Sequence, residues 1–214
     1  MKKVKLIIFD LDGTLADSKK DIAAGVNYTL GRLGMPALAN RAIYGFIGDG
    51  SWQLIERALG DGRAEDIGGA LKIFRDYYSR HLTVTTKLYP GVRKMLEYFK
   101  DKKKTVVTNK FESYSYKMLG DLNALKYFDM ILGSDSVERC KPDPLPLIKT
   151  MDKLGIAPQD TVMVGDGVND ILAAKNAGVA SCAVGYGLES RERLMSCKPD
   201  FFIESPAGLA RILK

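Results

Sequence analysis

A chain of 214 residues that is 46% hydrophobic, 27% charged and 9% aromatic has the profile of a folded protein with a sizeable core, which excludes disorder, collagen and coiled coil. Its three cysteines, Cys140, Cys182 and Cys197, are too few and too scattered for a disulfide framework, and no CxxC or Cys/His pairing suggests zinc, so a reducing cytoplasm is the expected compartment. The net charge of +6 attracts anionic ligands in general and suits a small phosphorylated metabolite as well as nucleic acid; its densest cluster, Lys100, Lys102, Lys103 and Lys104, carries no interleaved aromatics and is expected to be a solvated surface turn, so no nucleic acid is expected as partner.

The chain opens with an apolar run, Val4 to Phe9, that stops abruptly at Asp10 and Asp12. It reads as a first strand and not as a secretory leader, because it is short and no small-residue cleavage site follows. From Asp17 the period becomes helical: Asp17 or Ser18 can cap, and Ile22, Val26, Leu30 and Leu33 recur until Gly34-Met35-Pro36 ends the run. Further helices are predicted over Asn40 to Phe46, Ser51 to Leu59 and Ala64 to Leu82, so that Ala16 to Lys87 reads as an all-helical block. No apolar stretch reaches about 18 residues, so no membrane span is expected.

After Tyr89-Pro90-Gly91 helices and strands alternate. Helices are predicted over Val92 to Lys100, Ser113 to Leu119, Pro144 to Leu154, Ile171 to Ala177 and Ala207 to Leu213. Strands are predicted over Thr105 to Thr108, Met130 to Leu132, Thr161 to Val164, Ser181 to Val184 and Phe201 to Ile203. The pattern gives an α/β fold, a doubly wound parallel Rossmann-like sheet formed by residues 1–15 and 88–214, with an all-helical cap domain, residues 16–87, inserted after the first strand.

Ligands of such sheets bind at the carboxyl ends of the strands, which directs attention to the residue after each apolar run. Those residues are Asp10 and Asp12, then Thr108 and Asn109, then Lys141, then Asp166 and Asp170. Four carboxylates converging in a dry cleft would repel strongly without a cation among them, which implies a hard divalent metal. Magnesium fits, since it takes a few carboxylate or carbonyl oxygens and leaves a position for a substrate phosphate. Lys141 and the Thr108 hydroxyl would then serve the remaining phosphate oxygens. Taken singly these residues have ordinary roles as well: a strand cap for Asp10 and Asp12, a helix cap for Asp166, a solvated acid for Asp170, a surface lysine for Lys141, a turn for Asn109.

Taken together, Phe9-Asp10-Leu11-Asp12-Gly13-Thr14, Val107-Thr108-Asn109, Lys141-Pro142-Asp143-Pro144 and Gly165-Asp166 to Asp170 resemble, in order and spacing, the motifs of the haloacid dehalogenase-like superfamily over essentially the whole chain. The resemblance implies Asp10 as the nucleophile that becomes aspartyl-phosphate and Asp12 as general acid and base. It implies Asp10, the backbone carbonyl of Asp12, and Asp166 as Mg2+ ligands, with Asp170 a ligand or a support behind one, and Thr108, Asn109 and Lys141 at the substrate phosphate. An acid at position 12 suits rapid turnover of the phosphoenzyme, not dehalogenation or ion pumping. The helical block, through Phe46-Ile47-Gly48-Asp49-Gly50, Leu54 to Leu59 and Tyr77 to His81, resembles the cap of the bacterial phosphoglycolate phosphatase family, which implies 2-phosphoglycolate as substrate and Gly48 to Gly50 as the loop facing it.

Three other readings remain open on the sequence. A phosphosugar mutase of the β-phosphoglucomutase type shares core and cap, a pyrophosphatase or nucleotidase shares the chemistry, and a phospho-accepting signalling domain shares the clustered acids with Thr and Lys. A monomer or a homodimer is expected. Outside the site, His81 and Trp52 are expected to pack, Arg57 to be solvated, and Cys140 to have a thiol made reactive by its neighbour Lys141.

Overall fold

The computed structural model describes residues 1–60 and 67–214. Its centre is β1, Leu6–Phe9, every side chain of which is buried. A strand covered on both faces needs apolar residues throughout, and the two sets of side chains feed two core layers. Ile7 and Phe9 join Val92, Leu96, Phe99, Met118 and Leu119 on one side. Leu6 and Ile8 meet Leu147, Met151, Ala173 and Ala174 on the other.

Seven further strands and ten helices follow in chain order among the described residues: β2 Ala16–Asp17, α1 Lys19–Arg32, α2 Asn40–Tyr44, α3 Ser51–Leu59, α4 Ile67–Tyr78, β3 Lys87–Leu88, α5 Val92–Tyr98, β4 Lys103–Val107, α6 Glu112–Asp121, β5 Met130–Leu132, α7 Leu145–Leu154, β6 Thr161–Gly165, α8 Val168–Asn176, β7 Ala180–Val184, α9 Arg191–Ser196, β8 Phe201–Ile203 and α10 Leu209–Ile212. The large sheet runs β5-β4-β1-β6-β7-β8 and its pairs are parallel. The strand order therefore reverses between β1 and β6, and a crevice opens there at the carboxyl edge. Asp10 and Asp166 are the residues next after these two strands.

The helical segment is held at both ends by something its sequence did not announce. β2 and β3 pair antiparallel, Ala16 with Leu88 and Asp17 with Lys87, so the block predicted as wholly helical starts and ends in a two-stranded ribbon. Strands of two residues are too short to show an alternating pattern. Inside the segment, α1 presents Ile22, Ala23, Val26 and Leu30 to α4, which answers with Ala70, Leu71, Phe74 and Tyr78. Gly25 permits that approach, because a Cβ there would lie 2.9 Å from the Phe74 ring. The predicted start of α4 at Ala64 lies outside the described residues.

Other differences have local causes. Lys100 to Lys104 are not one solvated turn: Lys103 opens β4, and Lys104 is buried, its ammonium donating to the carbonyls of Phe99 (2.7 Å) and Lys102 (2.8 Å) just past the end of α5. A lysine can satisfy terminal helix carbonyls in this way. α8 begins at Val168, three residues before the first periodic apolar residue, because the Asp170 carboxylate accepts from the Gly167 N–H and caps it. α9 was not predicted; it is a short, largely exposed helix capped by Ser190, whose Oγ accepts from the Arg193 N–H.

Candidate active site

Four strand ends assemble the site. β1 delivers Asp10 and Asp12, β4 delivers Thr108, Asn109 and Lys110, the loop after β5 delivers Lys141, and the turn between β6 and α8 delivers Asp166 and Asp170. Carboxylate oxygens of Asp10, Asp166 and Asp170 all lie within 4.8 Å of one another. Lys141 is buried among them, its Nζ donating to Asp10 Oδ1 (2.8 Å), Asp170 Oδ1 (2.6 Å) and the Val107 carbonyl (2.6 Å). Asp170 is thus engaged by Lys141 through one oxygen and by the Gly167 N–H (3.0 Å) through the other. Asp10 Oδ2 meets no donor among the described residues and faces the cleft.

Three carboxylates against one ammonium leave a surplus of negative charge where little water can screen it. Burial, and after it the neighbouring Asp10 and Asp170, push the Asp166 carboxyl well above the usual range. Burial likewise pushes Asp10 up to about 6, Lys141 opposing and Asp170 and Asp12 adding to it. Burial works against the charge on Lys141, but Asp10 and Asp170 outweigh it and hold the ammonium above its ordinary value. A divalent cation would balance this set, and the oxygen donors suit a hard ion. The surroundings are built tightly around them: a Cβ on Gly13 or Gly187 would overlap the Asp166 carboxylate, and one on Gly165 would overlap that of Asp170. Asp166 is further fixed by the Thr14 hydroxyl (2.9 Å) and the Leu188 N–H (2.8 Å).

Asp12 stands across from this cluster with different partners. Lys110 Nζ donates to its Oδ2 at 2.7 Å, and the Ser18 hydroxyl donates to its Oδ1. The same Lys110 donates to the Tyr78 hydroxyl oxygen at 2.9 Å. Burial opposes the Lys110 charge, but Asp12 and Tyr78 prevail and raise it, so Lys110 is a cation. Ser18, expected as a helix cap, makes no capping bond and turns to Asp12 instead.

Thr108 is buried and lines the space above Asp10 and Asp12. Asn109 does something its position alone did not predict. Its amide donates to the Lys141 carbonyl (2.9 Å) and the Gly48 carbonyl (3.0 Å), while its Oδ1 accepts from the Lys141 N–H (3.1 Å). Gly48 to Gly50 indeed lie over the site: Asn169 donates to Asp49 Oδ1 (2.6 Å), and Gly48 and Gly50 have φ of +126° and +97°, which glycine adopts freely. Arg57 is exposed, as expected, and from the surface it pairs with Asp49 and donates to the Phe46 carbonyl (3.2 Å), bracing that loop.

Two cavities meet at Asp10 and Asp12. One of about 250 Å³ is polar and holds Lys141, Asp166, Asn169, Asp170, Arg57 and Arg193. The other, about 70 Å³, is walled mainly by Ile22, Leu54, Phe74, Tyr78, Phe111 and Tyr114, with Thr108 and Lys110. Lys110 and Tyr78 were missed by the sequence reading. Lys110 directly follows Thr108-Asn109, so its nearness was legible; its pairing with Asp12 depends on the helical segment bringing Tyr78 over it. Cys140 departs from expectation, since burial outweighs Lys141 and raises its thiol. His81 packs as expected, stacked on Tyr77 with centroids 4.0 Å apart, whereas Trp52, expected to pack, is exposed because it lies off the buried face of α3 formed by Leu54, Ile55, Ala58 and Leu59.

A doubly wound α/β sheet whose switch point gathers acids around an ammonium places a candidate active site where such folds bind their ligands. The family model for haloacid dehalogenase-like hydrolase matches residues 7–184. Phosphoglycolate phosphatase of Aquifex aeolicus is 38% identical, covering 98% of this chain and 97% of its own, and that of Chromobacterium violaceum is 37% identical, covering 100% and 98%. Among solved structures, a predicted phosphoglycolate phosphatase from Haemophilus somnus 129pt superposes with a TM-score of 0.90 at 30% identity over 98% of this chain and 97% of that one. A haloacid dehalogenase-like family hydrolase from Streptococcus pneumoniae gives 0.89 at 26% identity over 98% of each chain. The chain belongs to the haloacid dehalogenase-like hydrolase family, and within it is a phosphatase, an enzyme of the phosphoric monoester hydrolase class. Among the described residues no helix is long and apolar enough to cross a membrane.

Proposed function

We propose that this phosphatase is magnesium-dependent and hydrolyses 2-phosphoglycolate through an aspartyl-phosphate on Asp10. The observation that carries the reading is the division of labour between two carboxylates one residue apart: Asp10 offers a free Oδ2 beside Lys141, whereas Asp12 is gripped by Lys110 and Ser18 at the mouth of the small cavity. Asp10, the backbone carbonyl of Asp12 and Asp166 would hold the Mg2+, with Asp170 at its side. Bound there, the ion supplies positive charge to the phosphate oxygens and to the carboxylate cluster.

Lys141 and the Thr108 hydroxyl bind the remaining phosphate oxygens, and Asn109 fixes the Lys141 backbone. Asp10 Oδ2 attacks phosphorus while Asp12 gives a proton to the leaving alkoxide oxygen, and glycolate departs. Asp12 then takes a proton from water, whose oxygen attacks phosphorus, releasing inorganic phosphate and restoring Asp10. Residues 16–87 act as a cap over a core of residues 1–15 and 88–214, and closure keeps bulk water from the phosphoenzyme. The small cavity suits a leaving group of a few heavy atoms, and the names of the curated relatives support glycolate. The three free thiols suit a cytoplasmic setting.

Phosphate release from 2-phosphoglycolate, sugar phosphates, nucleoside monophosphates and pyrophosphate tests this directly. The expectation is preference for 2-phosphoglycolate, loss of activity in chelator with recovery on adding Mg2+, and a drop of at least ~10³-fold in Asp10→Asn. Isomerised sugar phosphate without phosphate release, or substantial activity in Asp10→Asn, would overturn it.

A further inference from the structure

The small cavity beside Asp12 is mostly apolar, yet one wall carries a buried cation. Apart from Asp10 and Asp12, Lys110 is the one charged residue among those lining it. An ammonium has three protons to donate, and two of the Lys110 protons reach Asp12 Oδ2 and the Tyr78 hydroxyl oxygen. Among the described residues nothing accepts the third. The Tyr78 hydroxyl accepts from Lys110, and its own proton also meets no acceptor among them. Two adjacent donors, one of them charged, thus face a space walled by Ile22, Leu54, Phe74 and Phe111. Buried donors are normally satisfied, so a pair left open in an apolar chamber marks where a ligand oxygen belongs. A carboxylate has the matching valence: two acceptor oxygens and a negative charge, able to take one proton from each donor.

We propose that Lys110 and Tyr78 form the subsite that reads the leaving group, selecting phosphomonoesters whose alcohol carries a carboxylate one or two carbons from the ester oxygen. The inference rests on the phosphatase reading above and specifies its leaving group. Asp10 and Lys141 handle the phosphoryl end, which every substrate shares; Lys110 and Tyr78 handle the end that distinguishes one substrate from another. The Arg75 guanidinium stacks on the ring of Phe111, one of the wall residues, 4.3 Å from its centroid.

Matched pairs of substrates isolate the carboxylate. 2-Phosphoglycolate is compared with ethyl phosphate, and 3-phosphoglycerate with glycerol 3-phosphate, in the parent, Lys110→Met and Tyr78→Phe. Lys110→Met also removes a partner of Asp12, so the ratio of kcat/KM within a pair is read beside binding affinities, in which proton transfer plays no part. The parent is expected to prefer the carboxylate-bearing member, and Lys110→Met to cut that preference by ~10- to 100-fold, mainly through KM for that member. Tyr78→Phe is expected to cut it by ~3- to 10-fold. Equal loss on both members, or no preference in the parent for either pair, overturns the proposal. Preference in the second pair alone leaves the subsite standing and removes 2-phosphoglycolate as the substrate. Affinities measured calorimetrically on Asp10→Asn give the same comparison without turnover, and equal affinities within both pairs also overturn it.

Discussion

Asp21 shows how a single buried carboxylate fastens the two ends of the helical segment to each other. It accepts from the N–H and hydroxyl of Thr85 and from the N–H and hydroxyl of Thr86, at 2.7 to 3.0 Å, and so fixes the chain just before it re-enters the ribbon at β3. Asp21→Ala would strand two backbone N–H groups, and a loss of about 3 kcal/mol in urea unfolding is expected. Burial opposes the charge, but the hydrogen bonds from Thr86 and Thr85 outweigh it and hold the carboxyl below the usual range. A depressed folded value stabilises above the unfolded value near pH 4 and ceases to as pH falls through the folded one. The stability gap between parent and Asp21→Asn is therefore expected to be full at pH 6 and to shrink below about pH 4; a gap that widened in acid would contradict this. Asp21 was not legible as special, because an acid in the first turn of a helix is unremarkable until its partners 64 and 65 residues away are known. The strand-end acids were legible for the opposite reason. Asp10, Asp12 and Asp166 interrupt or follow buried apolar runs, where a charge without a purpose is costly.

At the scale of elements, legibility followed the clarity of the apolar pattern. β5, β8 and α3 were read with both boundaries correct, because each is a clean apolar run or a strong helical period between turn residues. β2 and β3, two residues each, and α9, with little buried surface, left no periodic signal. The end of α1 shows why glycines near a helix terminus differ. Gly34 has φ of +68° and closes the helix, a role that suits glycine, whereas Gly31 is an ordinary helical residue with open space where a Cβ would stand. Gly120 in α6 is the same. Gly31→Ala and Gly120→Ala are each expected to stabilise by ~0.5 to 1 kcal/mol, additively and without change in turnover. Thermal unfolding checks this, and a lowered midpoint in either variant would contradict it.

Across the whole molecule, the sheet supplies the chemistry and the helical segment supplies the enclosure. Gly48 to Gly50 reach the core through two asparagines, Asn109 and Asn169, so the segment rests directly on residues that also position Lys141 and border Asp170. This coupling could not be read along the chain, since Asn109 and Asn169 stand 60 residues apart and each looks like a turn residue in isolation. In the proposed mechanism Asp10 becomes phosphorylated during each turnover. Rapid quenching of the magnesium enzyme with 2-phosphoglycolate, followed by borohydride reduction and peptide mass spectrometry, would convert an aspartyl-phosphate at position 10 into homoserine. Conversion at Asp10 that rises and decays within the turnover time, and that is absent from Asp10→Asn, is expected. Full-rate phosphate release with no modification of Asp10 at any quench time would contradict it.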